Sequence, residues 1–229
     1  MTRNKFTVVG GGPVGSLLAI LLARHGYDVG LYEGRPDSRV TNIYQGKSIN
    51  IALSDRGWHS LEQIGISADA KADAIPMYHR AIHGLDGELS ALPYGNEEDA
   101  IWSVSRGGIN EQLLDVAASE PKVDAHFEHR LVDVDFETAS AEFQVQGEHE
   151  VAIDADYLFG ADGAHSKVRR LAHDLPRFSY SQEYMPQSYI ELHIPANPDG
   201  SHKLENNALH IWPRKHFMLI ALPTPDGTF

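Results

Sequence analysis

The feature that most constrains this sequence lies within its first 33 residues. Lys5 to Val9 is a short β-branched and aromatic run, Gly10-Gly11-Gly12-Pro13-Val14-Gly15 is rich in glycine, and Ser16 to His25 carries Leu17, Leu18, Ile20, Leu21 and Leu22. This order predicts a buried strand, a tight turn and a helix buried over most of its surface, ended by Gly26. Asp28 to Glu33 reads as a second strand. A strand–turn–helix–strand unit of this length closes as a right-handed parallel crossover. Within it, Gly10-x-Gly12-x-x-Gly15 has a mechanical reading. Gly10 permits the turn, Gly12 lets a pyrophosphate approach the backbone, and Gly15 lets the helix pack close to the sheet. The helix N-terminus adds free N–H groups and the positive end of its dipole. Pro13 suits the first helical turn, where its missing N–H would have no partner anyway. Glu33, at the end of the second strand, is placed to accept hydrogen bonds from a ribose diol. The motif points to a dinucleotide and leaves NAD and FAD both open.

Composition removes other chemistries. The 229 residues include no cysteine, which excludes a disulfide scaffold, thiolate zinc sites, iron–sulfur clusters and a cysteine nucleophile. Lys and Arg total 19 against 32 Asp and Glu, a net charge of −13, which argues against a nucleic-acid-coating protein. The longest mostly apolar stretch, Pro13 to Ala23, falls short of the ~20 residues of a membrane span. Lys5 to Val9 runs into glycines and forms no signal core, so the expected location is cytoplasmic.

Further along, Ser54 reads as the cap of a helix carrying Trp58, Leu61 and Ile64 and closed by Gly65. Arg80 to Pro93 reads as two strands around Asp86-Gly87, a strong hairpin signal. Ser105 opens a helix with Ile109, Leu113, Leu114 and Val116, stopped by Pro121. Period-2 segments follow at Ala125 to Asp135, Ala141 to Gln146 and Val151 to Phe159, an expected antiparallel meander returning to a core strand. Between Leu131 and Gly160 stand eight acids (Asp133, Asp135, Glu137, Glu142, Glu148, Glu150, Asp154, Asp156) and no Lys or Arg. Alternation with apolar residues makes this a solvated sheet face, and neither a metal site nor a catalytic role is expected of it.

A second constellation narrows the cofactor. Tyr157-Leu158-Phe159-Gly160-Ala161-Asp162-Gly163-Ala164-His165-Ser166-Lys167-Val168-Arg169-Arg170 runs from an apolar strand into a turn and a basic helix. Asp162 falls at a strand's carboxyl end, where open α/β sheets bind ligands, and Arg169 could fork onto an anion. An ordinary strand–turn–helix connection capped by Asp162 fits the same residues. Taken with the early glycine motif and Glu33, the chain resembles the flavin-dependent single-component (group A) aromatic hydroxylases. Gly46-Lys47-Ser48-Ile49-Asn50-Ile51-Ala52-Leu53-Ser54, Leu209-His210-Ile211-Trp212-Pro213, Phe217 to Pro223, Pro93-Tyr94-Gly95 and Tyr189-Ile190-Glu191-Leu192 narrow the resemblance, which covers essentially the whole chain.

The resemblance implies an α/β fold. A Rossmann-like FAD-binding domain, with a parallel sheet plus an antiparallel meander, would occupy residues 1–70 and 101–177. A partial α+β substrate domain built on an antiparallel sheet would occupy residues 71–100 and 178–229. Family members are about twice as long, so the end at Phe229 is expected to be a cut. FAD would be held by Gly10, Gly12, Gly15, Glu33, Arg106 and Asp162, with Arg35 assisting near the adenosine or simply solvated. A plain surface arginine is the alternative for Arg106, although a cation is disfavoured at a helix start. The implied activity is NADPH- and O2-dependent hydroxylation of L-kynurenine to 3-hydroxykynurenine, in tryptophan degradation, through a flavin C4a-hydroperoxide. Arg80 would grip the substrate carboxylate and Tyr94 would hydrogen-bond it, while Leu209, Met218, Ile220 and Leu222 would line the ring pocket. Exposed strand and rim positions, and generic core packing, are the plainer alternatives for these residues. No side chain is expected to be a catalytic nucleophile and no metal is expected. Partners beyond kynurenine and O2 reduce to a homodimer, with no nucleic acid and no membrane segment.

Two departures stand out. Lys47 replaces a more usual arginine, keeping charge without bidentate geometry, and Pro186-Gln187-Ser188-Tyr189 replaces Pro-His-Gly-Tyr. His83 and His210 are expected near the pocket as packing or hydrogen-bonding residues. A phenolic-acid hydroxylase of the same group, or a non-catalytic FAD-binding fragment, are the competing readings.

Overall fold

A computed structural model describes residues 4–41, 50–146 and 149–229. In chain order the elements begin with β1 (Lys5–Val9), α1 (Pro13–Arg24), β2 (Asp28–Tyr32), β3 (Asn50–Leu53), α2 (Asp55–Ile64) and α3 (Ser67–Ala72). Next come β4 (Ile75–Met77), β5 (His79–His83), β6 (Leu89–Pro93), β7 (Ile101–Ser105) and α4 (Arg106–Ser119). The remainder comprises β8 (Val123–His126), β9 (His129–Asp135), β10 (Ser140–Val145), β11 (His149–Ile153), β12 (Tyr157–Gly160), α5 (Lys167–Ala172), β13 (Ala208–Arg214) and β14 (Phe217–Ala221). Two compact units emerge: Met1–Gln45 with Asn110–Pro186, and Gly46–Ile109 with Gln187–Phe229. Compactness therefore groups residues 46–70 and 101–109 with the second unit, and the division falls inside α4.

In the first unit, β12, β1, β2 and β8 form a parallel sheet in that order. Helix α1 starts at Pro13, earlier than expected, and its buried stripe is Gly15, Ser16, Ala19, Ile20 and Ala23. The leucines flank that stripe half-buried. Four of these five buried residues are small, and Ile20 is the one large side chain among them. The meander is shorter than its sequence pattern. Ala125 to Asp135 is two strands in different sheets, broken where Glu128 takes a φ of 57°. Val151 to Phe159 divides likewise into β11, in the meander, and β12, in the parallel sheet. At that division Asp156 accepts hydrogen bonds from the Asn4 and Lys5 backbones, both at 2.9 Å. This carboxylate is structural, whereas Asp133, Asp135, Glu142 and Glu150 are exposed as expected. Glu148 lies outside the described residues. Buried Phe143 from the meander stacks on Tyr32 at 4.4 Å between ring centres, and Tyr32 stacks in turn on His126 at 4.6 Å. Val9, Leu131, Val134 and Ala141 complete this cluster under the carboxyl end of the parallel sheet.

The second unit holds a sheet of order β14-β13-β5-β6 and another of order β3-β7-β4. The expected Asp86-Gly87 hairpin is present, with Gly87 at a φ of 85°. The first sheet is mixed, because β5 and β13 pair in parallel. Their separation in the chain leaves room for that connection. Asn50 and Ser103 both bond the Pro223 carbonyl, at 3.0 and 2.7 Å, tying the chain after β14 to β3 and β7. Helix α2 closes on Gly65 at a φ of 82°, as its sequence predicts.

On one face of the mixed sheet, His83 Nε2 lies 2.9 Å from His210 Nδ1, while His210 Nε2 faces the Glu205 carbonyl at 2.8 Å. A carbonyl only accepts, so His210 carries its proton on Nε2 and, when neutral, receives one bond from His83. Burial holds the His83 pKa below its ordinary value of 6.5, and the charges of His210 and Arg214 lower it further. The neighbouring His79 faces the Glu205 carboxylate at 3.3 Å. Since the unfolded chain takes up the His83 proton more readily, folding stability should be full above about pH 7 and should fall as pH drops through the mid-6 range. Urea midpoints at pH 7.5 and 5.5 should differ more in the wild type than in His83→Gln. Equal differences would remove His83 as the titrating group.

Candidate functional site

The glycine turn is built by contacts that leave no room for side chains at two of its three motif positions. Gly10 adopts a φ of 109°, and a Cβ there would meet the Ala161 carbonyl oxygen at 2.5 Å. Its N–H donates to the Tyr32 carbonyl at 2.7 Å. A Cβ on Gly15 would overlap the Gly10 carbonyl oxygen. Gly12 differs: it is extended, with φ −75° and ψ 178°, and a Cβ there would meet nothing within 4 Å. Neither backbone conformation nor internal packing demands glycine at that position. Open space at the start of α1 is what a pyrophosphate approaching the helix N-terminus needs.

Glu33 follows β2 and stands beside this turn. Its Oε2 accepts from Gly11 N–H at 2.8 Å, and its Oε1 accepts from the Arg35 backbone and Nε at 3.0 and 2.9 Å. Burial pushes the carboxyl pKa up, but the Arg35 side chain and the Gly11 and Arg35 N–H groups outweigh it and hold the value below the ordinary range. Glu33 is thus an ionised acceptor at neutral pH. Its backbone is fixed by bonds from Glu33 N–H to His126 and from His129 N–H to Glu33, at 2.8 and 2.9 Å. Arg35 is over half exposed and serves Glu33 directly.

Two residues that sequence reasoning missed lie next to Glu33. Ser38 and Asn110 line a small cavity with Gly11, Glu33, Leu114 and Phe127. The available signal was an asparagine one helical turn before buried Leu114, on a face that should be apolar. Arg39 pins the loop that carries Ser38. It pairs with Asp37 at 2.7 Å and reaches the Leu114 carbonyl and Asp115, both at 3.2 Å.

Asp162 sits where β12 ends, beside the Gly10 turn. Its Oδ1 accepts from Ser166 Oγ at 2.6 Å, and its Oδ2 accepts from the Lys167 and Val168 N–H groups at 2.6 and 3.1 Å. Ser166 Oγ in turn accepts from Arg169 N–H at 2.9 Å. The N-cap residue of α5 is thus Ser166 and not Asp162, whose carboxylate takes the first two N–H groups of the helix from four residues upstream while its backbone abuts the glycine turn. Arg169 folds back onto the Ala164 carbonyl at 2.5 Å and lies over the Tyr180 ring. Gly10, Gly12, Gly15, Glu33, Arg35 and Asp162 all fall in the first compact unit, at the carboxyl edge of its parallel sheet. Arg106 falls in the second unit, exposed at the first residue of α4, where Ser105 Oγ caps the Gly108 N–H at 3.1 Å. Lys47 lies outside the described residues.

The second unit groups the expected substrate residues. The Arg80 guanidinium lies 4.2 Å from the centre of the Tyr94 ring. The Tyr94 hydroxyl is buried and has no hydrogen-bond partner among the described residues, a state that costs about 1–3 kcal/mol. Burial raises the Tyr94 pKa, against a lowering by Arg80, so the hydroxyl keeps its proton to donate. Register puts Arg80 beside Leu209, Ile211 beside Ile220, and Pro213 beside Met218. Strand alternation then places Arg80, Leu209, Met218 and Ile220 on one face, opposite His83 and His210. Met218 is 57% exposed and Ile220 45%, which excludes core packing within this chain as their role. Leu222 follows the last residue of β14 and is half-buried. Among the described residues, no three or more His, Asp or Glu are grouped to hold a metal, and no helix is long and apolar enough to cross a membrane.

The three glycines should separate experimentally. Gly15→Ala is expected to destabilise the fold by about 3 kcal/mol, because the backbone must give way. Gly12→Ala should leave the melting temperature within about 2 °C of wild type while weakening FAD binding at least tenfold. Thermal unfolding and flavin fluorescence quenching check both, and unimpaired FAD binding by Gly12→Ala would detach the open space from the ligand.

Comparison with known proteins agrees with this geometry. The chain is 44% identical to a kynurenine 3-monooxygenase of Flavobacterium johnsoniae over 230 aligned residues, covering 100% of this chain and 51% of the relative. It is 42% identical to the kynurenine 3-monooxygenase of Sus scrofa, covering 99% of this chain and 48% of that protein. The chain thus spans about half the length of these relatives. Among solved structures, a tetrameric form of 2-methyl-3-hydroxypyridine-5-carboxylic acid oxygenase shares the fold, with a TM-score of 0.76 at 21% identity, covering 100% of this chain and 57% of that one. Residues 4–222 match the model of the FAD binding domain family, to which the chain therefore belongs.

Proposed function

We propose that this chain supplies the FAD site and part of the substrate site of an NADPH-dependent monooxygenase that converts L-kynurenine to 3-hydroxykynurenine. FAD binding is assigned to residues 1–70 and 101–177, and substrate binding to residues 71–100 and 178–229. The observation that carries the substrate assignment is the Arg80–Tyr94 pair: a guanidinium over a tyrosine ring whose buried hydroxyl lacks a partner among the described residues. A planar guanidinium and a neutral O–H donor together suit a carboxylate entering a partly dry site. The apolar face carrying Leu209, Met218 and Ile220 suits the aromatic ring of the same molecule, and the likeness to kynurenine 3-monooxygenases supports kynurenine as that molecule.

The residues divide the work in a consistent way. Gly12 and the N-terminus of α1 would hold the pyrophosphate, and ionised Glu33 would accept from the adenosine ribose. Arg106, the first residue of α4, is assigned to holding FAD, and Asp162 fixes the α5 connection next to the glycine turn. When bound, FAD supplies the redox chemistry, drawing on NADPH and O2. The protein's own side chains hold and orient the substrate and exclude water, and none of them is required as a nucleophile.

With the full-length chain loaded with FAD, L-kynurenine should stimulate NADPH oxidation and yield 3-hydroxykynurenine. Arg80→Ala should raise the KM for kynurenine about 10²-fold while FAD stays bound, the loss expected when a carboxylate forfeits its charged partner. Tyr94→Phe should cost about tenfold. Near-normal kynurenine affinity in Arg80→Ala would overturn the carboxylate assignment, and stimulation by a phenolic acid instead would redirect the substrate class.

A further inference from the structure

The chain leaves β14 through a proline that two side chains from another sheet hold in place. The Pro223 carbonyl accepts from Ser103 Oγ at 2.7 Å and from Asn50 Nδ2 at 3.0 Å, and Asn50 Nδ2 also donates to Ser103 Oγ at 3.1 Å. Ser103 is 1% exposed in the middle of β7, and Asn50 opens β3. One donor satisfies a buried carbonyl, whereas donors on both lone pairs fix its tilt as well as its position. Proline has no N–H, so a strand ladder cannot hold this residue by donation. The next carbonyl, of Thr224, accepts from Gly227 N–H at 3.1 Å and faces His202 Nε2 at 2.8 Å. The exit from β14 is therefore held at two successive peptide groups.

What these bonds fix is the residue before the proline. The Pro223 side chain is fully buried, its ring locks φ, and the residue preceding a proline is restricted to extended backbone. Little torsional freedom remains between the held carbonyl and Leu222, the last of the alternating row Met218, Ile220 and Leu222. β14 pairs with β13 alone among the described residues, and Met218 and Ile220 are exposed. Packing around the row is thin, so the hydrogen bonds at Pro223 take over the task of holding its end. Ser103 also stands three residues before Arg106, on the strand that leads into α4. One buried network thus joins the strand leading to a residue assigned to FAD with the apolar row assigned to the substrate ring. We propose that Ser103 and Asn50 are positioning residues for hydroxylation: through the Pro223 carbonyl they fix Leu222, and with it the depth and angle at which the substrate ring lies. In this role they touch neither FAD nor substrate. The inference rests on the substrate reading above and deepens it.

The test is steady-state kinetics of the full-length FAD-loaded protein with L-kynurenine, recording NADPH consumed, 3-hydroxykynurenine formed and hydrogen peroxide released. A ring held at the wrong angle is hydroxylated less often per NADPH oxidised. The remaining turnovers combine NADPH, a proton and O2 to give NADP+ and hydrogen peroxide. Ser103→Ala and Asn50→Ala should each raise the KM for kynurenine about fivefold and about halve the product formed per NADPH, with FAD affinity and the KM for NADPH within about twofold of wild type. The double variant should be no more than about twofold worse than the poorer single one, because both side chains act through one carbonyl. A purely structural role would lower the active fraction, and so kcat, while leaving the KM and the product share unchanged. Asn50→Ala, at a half-buried position, carries the test if Ser103→Ala does not fold. If the folded variants keep the wild-type KM and product share and only melt at lower temperature, the inference fails. It fails also if they lose FAD affinity with kynurenine KM unchanged, since they then serve the cofactor side alone. If kynurenine does not stimulate the wild type at all, the substrate reading itself fails and takes the inference with it.

Discussion

The close approach of α1 to the turn before it governs the rest of the first unit. Gly15 lies so near the Gly10 carbonyl that a single added carbon would overlap it, and Gly10 lies equally near Ala161 and Asp162. These contacts press the ends of β1 and β12 and the start of α1 into one small volume. The free N–H groups and dipole of the helix are thereby brought to the carboxyl edge of a parallel sheet. Of the three motif glycines, only Gly12 is exempt from this crowding. Asp162 contributes from behind: by accepting from the first N–H groups of α5 it keeps the second turn in place against the first.

Glu33 depends on a different part of the molecule. Its backbone is threaded between the end of β8 and the start of β9, and Tyr32 beside it is stacked between His126 and Phe143. The antiparallel meander therefore acts as a foundation for the acceptor end of the site, through Phe143 on its buried face. The acids on its other face stay in solvent, except for Asp156, which secures the start of β1. Within this strongly acidic chain, pairing with Arg35 and with the Gly11 and Arg35 N–H groups holds the one carboxylate beside the glycine turn, Glu33, in its ionised form.

The mixed sheet of the second unit uses alternation to separate two environments. One face carries the His83–His210 pair with Trp212 stacked on His83 at 4.2 Å. The other carries Arg80, Leu209, Met218 and Ile220. Each strand contributes to both, so the register that buries the histidines also presents the arginine and apolar residues together.

Much of this was legible in the residues. The glycine spacing, the flanking strand and helix and the position of Glu33 determine the parallel unit, because local steric limits act over a few residues and admit few alternatives. The Asp86-Gly87 hairpin and the Gly65 helix end were legible for the same reason. Period-2 patterning could not show that Ala125 to Asp135 and Val151 to Phe159 are each divided between two sheets, since alternation is identical in either sheet and only pairing partners distinguish them. Nor could it show that four small residues and Ile20, and not the leucines, form the buried stripe of α1. Asp162 had two open roles in sequence, and the structure puts Ser166 at the N-cap of α5 with the Asp162 carboxylate accepting from the first two helical N–H groups. Ser38 and Asn110 are 72 positions apart, and no local pattern links them. The sequence by itself determined where a dinucleotide turn must form. Only the tertiary structure decided which distant polar residues share a cavity with it, because burial and pairing are properties of residues brought together across the chain.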